Sequence, residues 1–272
     1  MAILHALISP VSYLHLIPQE SKFHLLLAHL LHSEEYCDFY RKRKEQGDYI
    51  IIDNGAFELG VPLLPKDIYN LINHSGIVPD VVVAPDYPGE QWQKTVKSAY
   101  QFSQEFHNYF PKTTKLMVVP QSEKGDWQGW LACYKALSQI DHVEFIGMSI
   151  LGVPKAFCSL TGTNDITYNR TIASLYLRNH ADEYLTHGKK HHFLGCSDPR
   201  ELLTMQMVGL AYSNDSSTAI WHGHVGVEFD NTAGGLKDGK TKIPVDFFTK
   251  PNPEAEKTII HNIKWLQNLL AQ

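Results

Sequence analysis

Several features that would assign this 272-residue sequence to a common class are missing from it. The N-terminus, MAILHALISP, is too short for a secretory signal and lacks the charged start of one. No apolar run approaches the ~20 residues that a membrane-spanning helix needs. We therefore expect a soluble, cytoplasmic protein with no membrane partner.

Cysteine is scarce and widely spread, at Cys37, Cys133, Cys158 and Cys196. No CxxC pair and no Cys/His cluster at zinc spacing is present, so reduced structural thiols are expected. His222 and His224, taken with Cys196 and His192, invite a metal site, but zinc ligands normally come in tighter pairs. We therefore expect neither a metal nor a cofactor.

An excess of positive charge is also missing, because the formal net charge is −5. Any contact with nucleic acid would then need a local basic patch rather than overall attraction. The run Arg41 to Lys44 is a candidate for phosphate binding, but a solvated helix face is the favoured reading. The run Lys189 to His192 adjoins a predicted strand at the rim opposite the expected site, which disfavours DNA contact.

Short apolar segments recur along the chain, each followed by a stretch of helical length. Runs such as YIII and DVVVA are apolar without alternation, which suits strands buried on both faces of a parallel sheet. PKDIYNLINHSG and DPRELLTMQMVG, which lie between such runs, carry the Pro start and Gly stop of helices. Eight segments have strand character: residues 3–9, 23–30, 49–53, 80–86, 115–121, 143–149, 191–195 and 209–215.

This alternation predicts an α/β fold, a (β/α)8 TIM barrel that forms a single domain over residues 1–272. The first two segments are equally compatible with helix. No linker, internal repeat or low-complexity tract is visible. We expect a loop or hairpin insertion near residues 223–248, with TKIPVDFF as a candidate extra strand, and a closing C-terminal helix in NPEAEKTIIHNIKWLQNLLAQ.

Polar side chains follow the predicted strands, and in a parallel barrel these carboxyl ends carry the active site. Any one Asp at a strand end is also a common helix cap or turn, so it is their joint placement that favours function. The residues at the strand ends are Asp53 in IIIDNGAF, Asp86 in VVVAPDYPG, Gln121 in MVVPQSEKG, Gly147 to Ser149 in FIGMSILG, Gly195 in HFLGCSDP, and Asp215 in GLAYSND.

The order DNGAF, APD, VVPQ, IGMSILGVP, HFLGCSDPREL and a late Asp resembles the tRNA-guanine transglycosylases. In that family the stretches read roughly DSGGFQ, AFDE, VQGG, IGGLAVGEP, YLMGVGKPEDL and FDC. The resemblance covers about residues 50–217. Because the family's C-terminal CxCxxC zinc module is missing, the chain is most similar to the compact phage DpdA-type DNA-guanine transglycosylases.

The resemblance implies a pentosyltransferase that exchanges guanine in DNA for a free 7-deazaguanine, preQ0 or a derivative, and so protects phage DNA from restriction. Asp215 would be the nucleophile at C1′ and Asp53 the general acid/base. The reaction would use no cofactor. The alternatives are a queuosine-related enzyme that acts on tRNA, and a catalytically silent nucleic-acid-binding barrel.

The resemblance also implies a base pocket. Asp86 and Gln121 would read the pyrimidine edge of the base, the carboxylate accepting from N1–H and the amino group, and the amide donating to O6. Phe57 would stack on one face of the purine and Leu194 on the other. Backbone groups at Gly147, Met148 and Ser149 would contact the base or its 7-substituent.

Two positions keep alternatives open. Aligned without a gap, the family's nucleophile falls on Asn214, which cannot attack, whereas one inserted residue brings Asp215 into place. Met148 stands where the family has Gly, so either the pocket has a different shape or this side chain points away from it.

Beyond the nucleophile, Trp221 and His222 could contact DNA by stacking or by phosphate binding. A packed Trp beside surface histidines is the alternative.

Overall fold

Eight strands alternate with helices in a computed structural model that describes residues 3–196, 198–230 and 246–271. The strands are β1 (Leu4–Leu7), β2 (Phe23–Leu27), β3 (Tyr49–Asp53), β4 (Val81–Val83), β5 (Lys115–Val118), β6 (Val143–Gly147), β7 (Lys190–Phe193) and β8 (Ala211–Ser216). The helices are α1 (Glu34–Glu45), α2 (Ala56–Leu59), α3 (Pro65–Ser75), α4 (Trp92–Tyr109), α5 (Trp127–Ser138), α6 (Gly152–Thr161), α7 (Ile166–Asn179), α8 (Ala181–Tyr184), α9 (Arg200–Val208), α10 (Thr218–His224) and α11 (Pro253–Leu270).

The strands form one parallel sheet in the order β1-β8-β7-β6-β5-β4-β3-β2. Because β1 and β2 stand at the two ends of this hydrogen-bonded order, the barrel is nearly closed. The chain is therefore an α/β protein with a (β/α)8 TIM barrel, and the predicted fold class is confirmed. This arrangement brings the carboxyl ends of all eight strands to one rim.

The strands are buried on both faces, which explains why their sequences are continuous apolar runs. Every residue of β2 and β4 is buried, as are the last four residues of β3. A second apolar cluster lies where α10 and α11 pack beneath β1. Gly223 allows that close approach, because a Cβ at this position would lie 2.6 Å from the Cα of Ile259.

The predicted strand segments agree with the structure, with differences at their ends. Each of the eight contains a strand, and the first two are strands rather than helices. Residues 28–30, predicted as strand, form a 3-10 turn. The loop predicted from residue 223 begins later, because α10 extends to His224.

The rest of the predicted insertion is seen only in part. Residues 231–245 lie outside the described residues, and they include most of the predicted extra strand TKIPVDFF. Its last residues, 246–248, form a turn. The closing helix is present as α11. Within the part of the chain that the structure describes, no helix combines the length and apolarity needed to cross a membrane.

The basic run in α1 serves the fold. Arg43, predicted on a solvated face, is 2% exposed, and its Nε lies 2.8 Å from the Asp48 carboxylate. Lys44 pairs with Asp80 at 2.6 Å, and Arg41 contacts Glu34 and Asp38. Both the solvated-face reading and the phosphate reading are therefore wrong for Arg43, since a buried guanidinium is retained only when it is paired.

Candidate active site

A cavity of about 230 Å³ lies at the carboxyl ends of the strands. Side chains predicted from separate strand ends come together in it, which favours a binding or reactive site over a set of independent turns. Its volume is below the ~300 Å³ at which pockets for drug-sized ligands begin, so it suits a small molecule. Among the predicted site residues, those lining it are Asp53, Phe57, Asp86, Gln121, Ser149, Leu194 and Asp215.

Asp215, near the end of β8, is 4% exposed and lines the cavity. Its Oδ1 lies 2.9 Å from His192 Nε2, and the backbone N–H of Gly195 donates to both carboxylate oxygens at 3.2 Å. Gly195 has a φ of +71°, and a Cβ there would lie 2.8 Å from Ile150. Glycine is thus needed for the backbone turn that aims this N–H at the carboxylate.

The structure also distinguishes position 215 from position 214. Successive strand residues face opposite sides, and Asn214 points away from the cavity. Its Nδ2 donates to the carbonyl of Phe193, and its Oδ1 lies 2.8 Å from His5 Nδ1. Of the two candidates, Asp215 is the side chain that faces the cavity.

His192 connects Asp215 to a second polar group, Ser213. The imidazole Nδ1 of His192 lies 2.8 Å from Ser213 Oγ, and both side chains are fully buried. The contacts from Ser213 through His192 to Asp215 resemble the Ser–His–Asp triad of serine hydrolases, but here the Asp, not the Ser, faces the cavity. Asp215 faces the cavity whereas Ser213 lies beneath it, so the carboxylate is the group that a ligand can reach.

Asp53 ends β3 inside the same cavity and is 8% exposed. Its Oδ2 accepts one hydrogen bond, from the N–H of Gly55 at 2.9 Å. Burial raises the pKa of Asp53 well above its usual range, and the nearby charge of Glu58 raises this pKa further. A carboxyl group in this setting can carry a proton at neutral pH, as a general acid must.

Asp86 is held between two amide side chains. Asn54 Nδ2 donates to its Oδ1 at 2.6 Å, and Gln121 Nε2 donates to its Oδ2 at 2.7 Å. Burial raises the pKa of Asp86 to about 6, against these two hydrogen bonds, which lower it. Both amides orient the carboxylate, and each oxygen keeps a lone pair for a further donor.

The Gln121 amide is bound to Asp86 but keeps a second donor. One of its two Nε2 N–H groups donates to Asp86 Oδ2 at 2.7 Å, and its buried Oε1 has no hydrogen-bond partner. The other N–H can still donate, so the expected donation to O6 of a purine stays a prediction. The sequence could place Gln121 at the strand end, but it could not reveal the hydrogen bond to Asp86.

Glu58 is a cavity residue that the sequence analysis missed. It lies on α2, and its buried Oε2 has no hydrogen-bond partner. Burial raises the pKa of Glu58 to about 7, and the Asp215 charge contributes. The sequence signal available for Glu58 is its position directly after Phe57, in the segment that follows β3.

The predicted base-contacting residues divide into two groups. Phe57 is 57% exposed at the cavity mouth, and Leu194 and Ser149 line the wall. Gly147 and Met148 do not line the cavity. Met148 is fully buried, so of its two open alternatives, the one with the side chain directed away from the pocket agrees with the structure.

Arg170, from α7, was also missed, and it secures the backbone around the cavity. Its Nη2 donates to the carbonyl of Met148 and its Nη1 to that of Gly195, both at 2.8 Å. Glu201 pairs with the same guanidinium at 3.2 Å. Arg170 thereby joins the ends of β6 and β7. A helix residue far along the chain from both strands gives no local sequence signal for this role.

Trp221 and His222 lie away from the cavity lining. Trp221 is 3% exposed and packs against His224 and Phe247, which agrees with the packed alternative rather than with stacking on DNA. His222 Nδ1 lies 2.9 Å from the carbonyl of Thr218, one turn earlier in α10.

Comparison with known proteins does not assign the chain to a family. No protein-family model matches it, and no curated protein matches it. Over the described residues, no group of three or more His, Cys, Asp or Glu side chains has the arrangement of a metal site.

Proposed function

We propose that this protein exchanges guanine in DNA for a 7-deazaguanine, preQ0 or a derivative, by double displacement through a covalent glycosyl-enzyme. The observation that carries the proposal is the cavity-facing Asp215. It is held by His192 and Gly195 in the same cavity as the raised-pKa acid Asp53. Two carboxyl groups in contrasting environments are what a nucleophile and a general acid require.

In the first step, Asp215 attacks C1′ of the target nucleotide. The C1′–N9 bond breaks, its electron pair goes to guanine, and the proton on Asp53 neutralises the departing base. The result is a covalent ester between Asp215 and the sugar. The target nucleotide must be extruded from the duplex or lie in a single strand, because C1′ is otherwise inaccessible.

In the second step, the incoming base attacks the same carbon. Asp53, now ionised, takes the N9 proton, the new C1′–N9 bond forms, and the bond to Asp215 breaks. Two inversions give overall retention. The chemistry uses side chains of this chain and requires no cofactor.

The base would be recognised by cavity residues other than Asp215 and Asp53. Asp86 would accept from the N1–H and amino group of a guanine-like base, and Phe57 and Leu194 would contact its faces. Gln121 would donate to O6 with the N–H that does not bind Asp86. An enzyme that modifies phage DNA meets its substrate in the host cytoplasm, which is the proposed location, and the modification would protect that DNA from restriction.

The test is incubation with isotope-labelled preQ0 and, separately, duplex DNA, single-stranded DNA and tRNA. Label entering DNA supports the proposal. Label entering only tRNA would instead make the protein a tRNA-guanine transglycosylase. Binding of DNA without label transfer would support the catalytically silent barrel.

A further inference from the structure

We propose that His192 is the positioning residue for Asp215, oriented from below by Ser213, and that it leaves Oδ2 as the attacking oxygen. This inference rests on the proposed function. It starts from three side chains on adjacent strands β7 and β8, none of which belongs to the base-recognition side of the cavity.

The proton positions follow from the chemistry of the partners. A carboxylate only accepts hydrogen bonds, so the proton shared between His192 and Asp215 belongs to Nε2 of the imidazole. A ring that carries its proton on Nε2 alone offers Nδ1 as an acceptor, and the Ser213 hydroxyl at 2.8 Å is the donor that fits it. Ser213 therefore selects the tautomer that can serve Asp215.

The two oxygens of Asp215 then differ. Oδ1 accepts from His192 at 2.9 Å and from Gly195 at 3.2 Å, whereas Oδ2 shares only the Gly195 N–H. The oxygen with fewer donors keeps more charge and more freedom to form a bond. Oδ2 is thus the atom that forms the ester, and Oδ1 is the atom that fixes the orientation of the carboxylate.

Strand geometry explains how this arrangement is built. His192 on β7 and Leu194, directly after the end of this strand, face inward, and Ser213 and Asp215 share the inward face of β8. His192 and Ser213 are register partners across the two strands. The same alternation turns His191 outward, where its Nε2 lies 2.7 Å from the hydroxyl of Tyr134.

The test compares His192→Phe, which has no donor, with His192→Gln, whose amide can still donate to Asp215. His191→Phe is the matched control, a neighbour of equal burial that points away from the cavity. We expect His192→Phe to lower kcat on the order of 10²-fold with KM for preQ0 unchanged, because a donor to the nucleophile is lost and no base contact is. His192→Gln should recover part of that loss, and the control should retain the wild-type rate.

A second measurement does not depend on turnover. The ring nitrogens of His192 in the ¹⁵N-labelled whole protein should report a proton on Nε2, and both Ser213→Ala and Asp215→Asn should shift these signals. Signals that are insensitive to both changes would overturn the inference, as would a His192→Phe enzyme with wild-type kcat. If the wild type transfers no base while the signals respond as expected, the proposed function fails but the pairing of His192 with Asp215 stands.

Discussion

At the scale of single residues, the environment separates carboxyl groups of the same chemical type. Asp215 receives hydrogen bonds from a side chain and a backbone N–H, Asp53 receives one from the backbone, and the buried Oε2 of Glu58 receives none. Burial raises the pKa of Asp53 and that of Glu58, which favours the protonated form of each. The roles proposed for Asp53 and Asp215 follow from their different hydrogen-bond partners.

Glu58 provides a test at this scale that needs no substrate. Its pKa is about 7 in the folded protein, against 4.5 for an ordinary Glu, so the folded state binds the proton more tightly than the unfolded state. The stability contributed by the protonated form is therefore complete below about pH 4.5 and is lost as the pH rises to 7. Glu58→Gln, which cannot ionise, should raise the free energy of unfolding at pH 8 by about 1–3 kcal/mol and change it little at pH 4.5.

Urea denaturation of both proteins at the two pH values measures this. Glu105→Gln, on the exposed face of α4, is the control and should change the free energy of unfolding by less than about 0.5 kcal/mol. Equal stabilisation by Glu58→Gln at both pH values, or none at pH 8, would contradict the raised pKa of Glu58.

The residues that could be predicted from sequence are those that end strands. Asp53, Asp86, Gln121 and Asp215 each follow an apolar run, and the barrel brings such positions to one rim. His192 was identifiable in principle, because the alternation that puts Leu194 at the cavity also turns His192 inward. Partners that arrive from other elements could not be predicted, since only the folded chain brings them close.

At the scale of elements, Arg170 on α7 is a partner of the site that the sequence could not reveal. Arg170 bridges two carbonyls, at the ends of β6 and β7, from a helix between those strands in sequence. A planar guanidinium can donate in two directions at fixed geometry, which the single ammonium of Lys cannot reproduce.

Arg170→Lys should therefore lower the free energy of unfolding by about 1–3 kcal/mol, because a buried carbonyl loses its donor. Arg178→Lys is the matched control on the same helix. Arg178 is exposed and donates to one carbonyl, that of Val208, so the replacement should cost less than about 0.5 kcal/mol. Thermal or urea unfolding of the two variants measures this difference. Equal losses of stability would show that the Arg170 bridge between the two carbonyls does not stabilise the fold more than the single bond of Arg178 does.

Element ends were the least predictable feature of the fold. Residues 223 onward were expected to form a loop, yet α10, with the sequence TAIWHGH, extends to His224. Packing of α10 against α11 supplies what local propensity lacks, since Ala219 and Ile220 are fully buried there. The strands, in contrast, were recognisable because burial on both faces leaves a continuous apolar run.

At the scale of the whole molecule, charge limits how the proposed nucleic-acid substrate can bind. The net charge is −5, and none of the described residues that line the cavity is Lys or Arg. We therefore expect few phosphate contacts, so the logarithm of the association constant for single-stranded DNA should fall with the logarithm of salt concentration at a slope shallower than about −3. Fluorescence anisotropy titrations at salt concentrations from about 50 to about 200 mM measure this slope. A slope near −6 would indicate an extensive phosphate-binding surface instead.

The proposed reaction depends on one bond, between Asp215 and C1′ of the target sugar. The most direct measurement incubates the protein with a guanine-containing oligonucleotide, denatures it, and maps any covalent sugar adduct by mass spectrometry of its peptides. We expect an adduct on the peptide carrying Asp215, at that side chain, and none with Asp215→Asn. An adduct on another residue, or base exchange that persists in Asp215→Asn, would contradict the account.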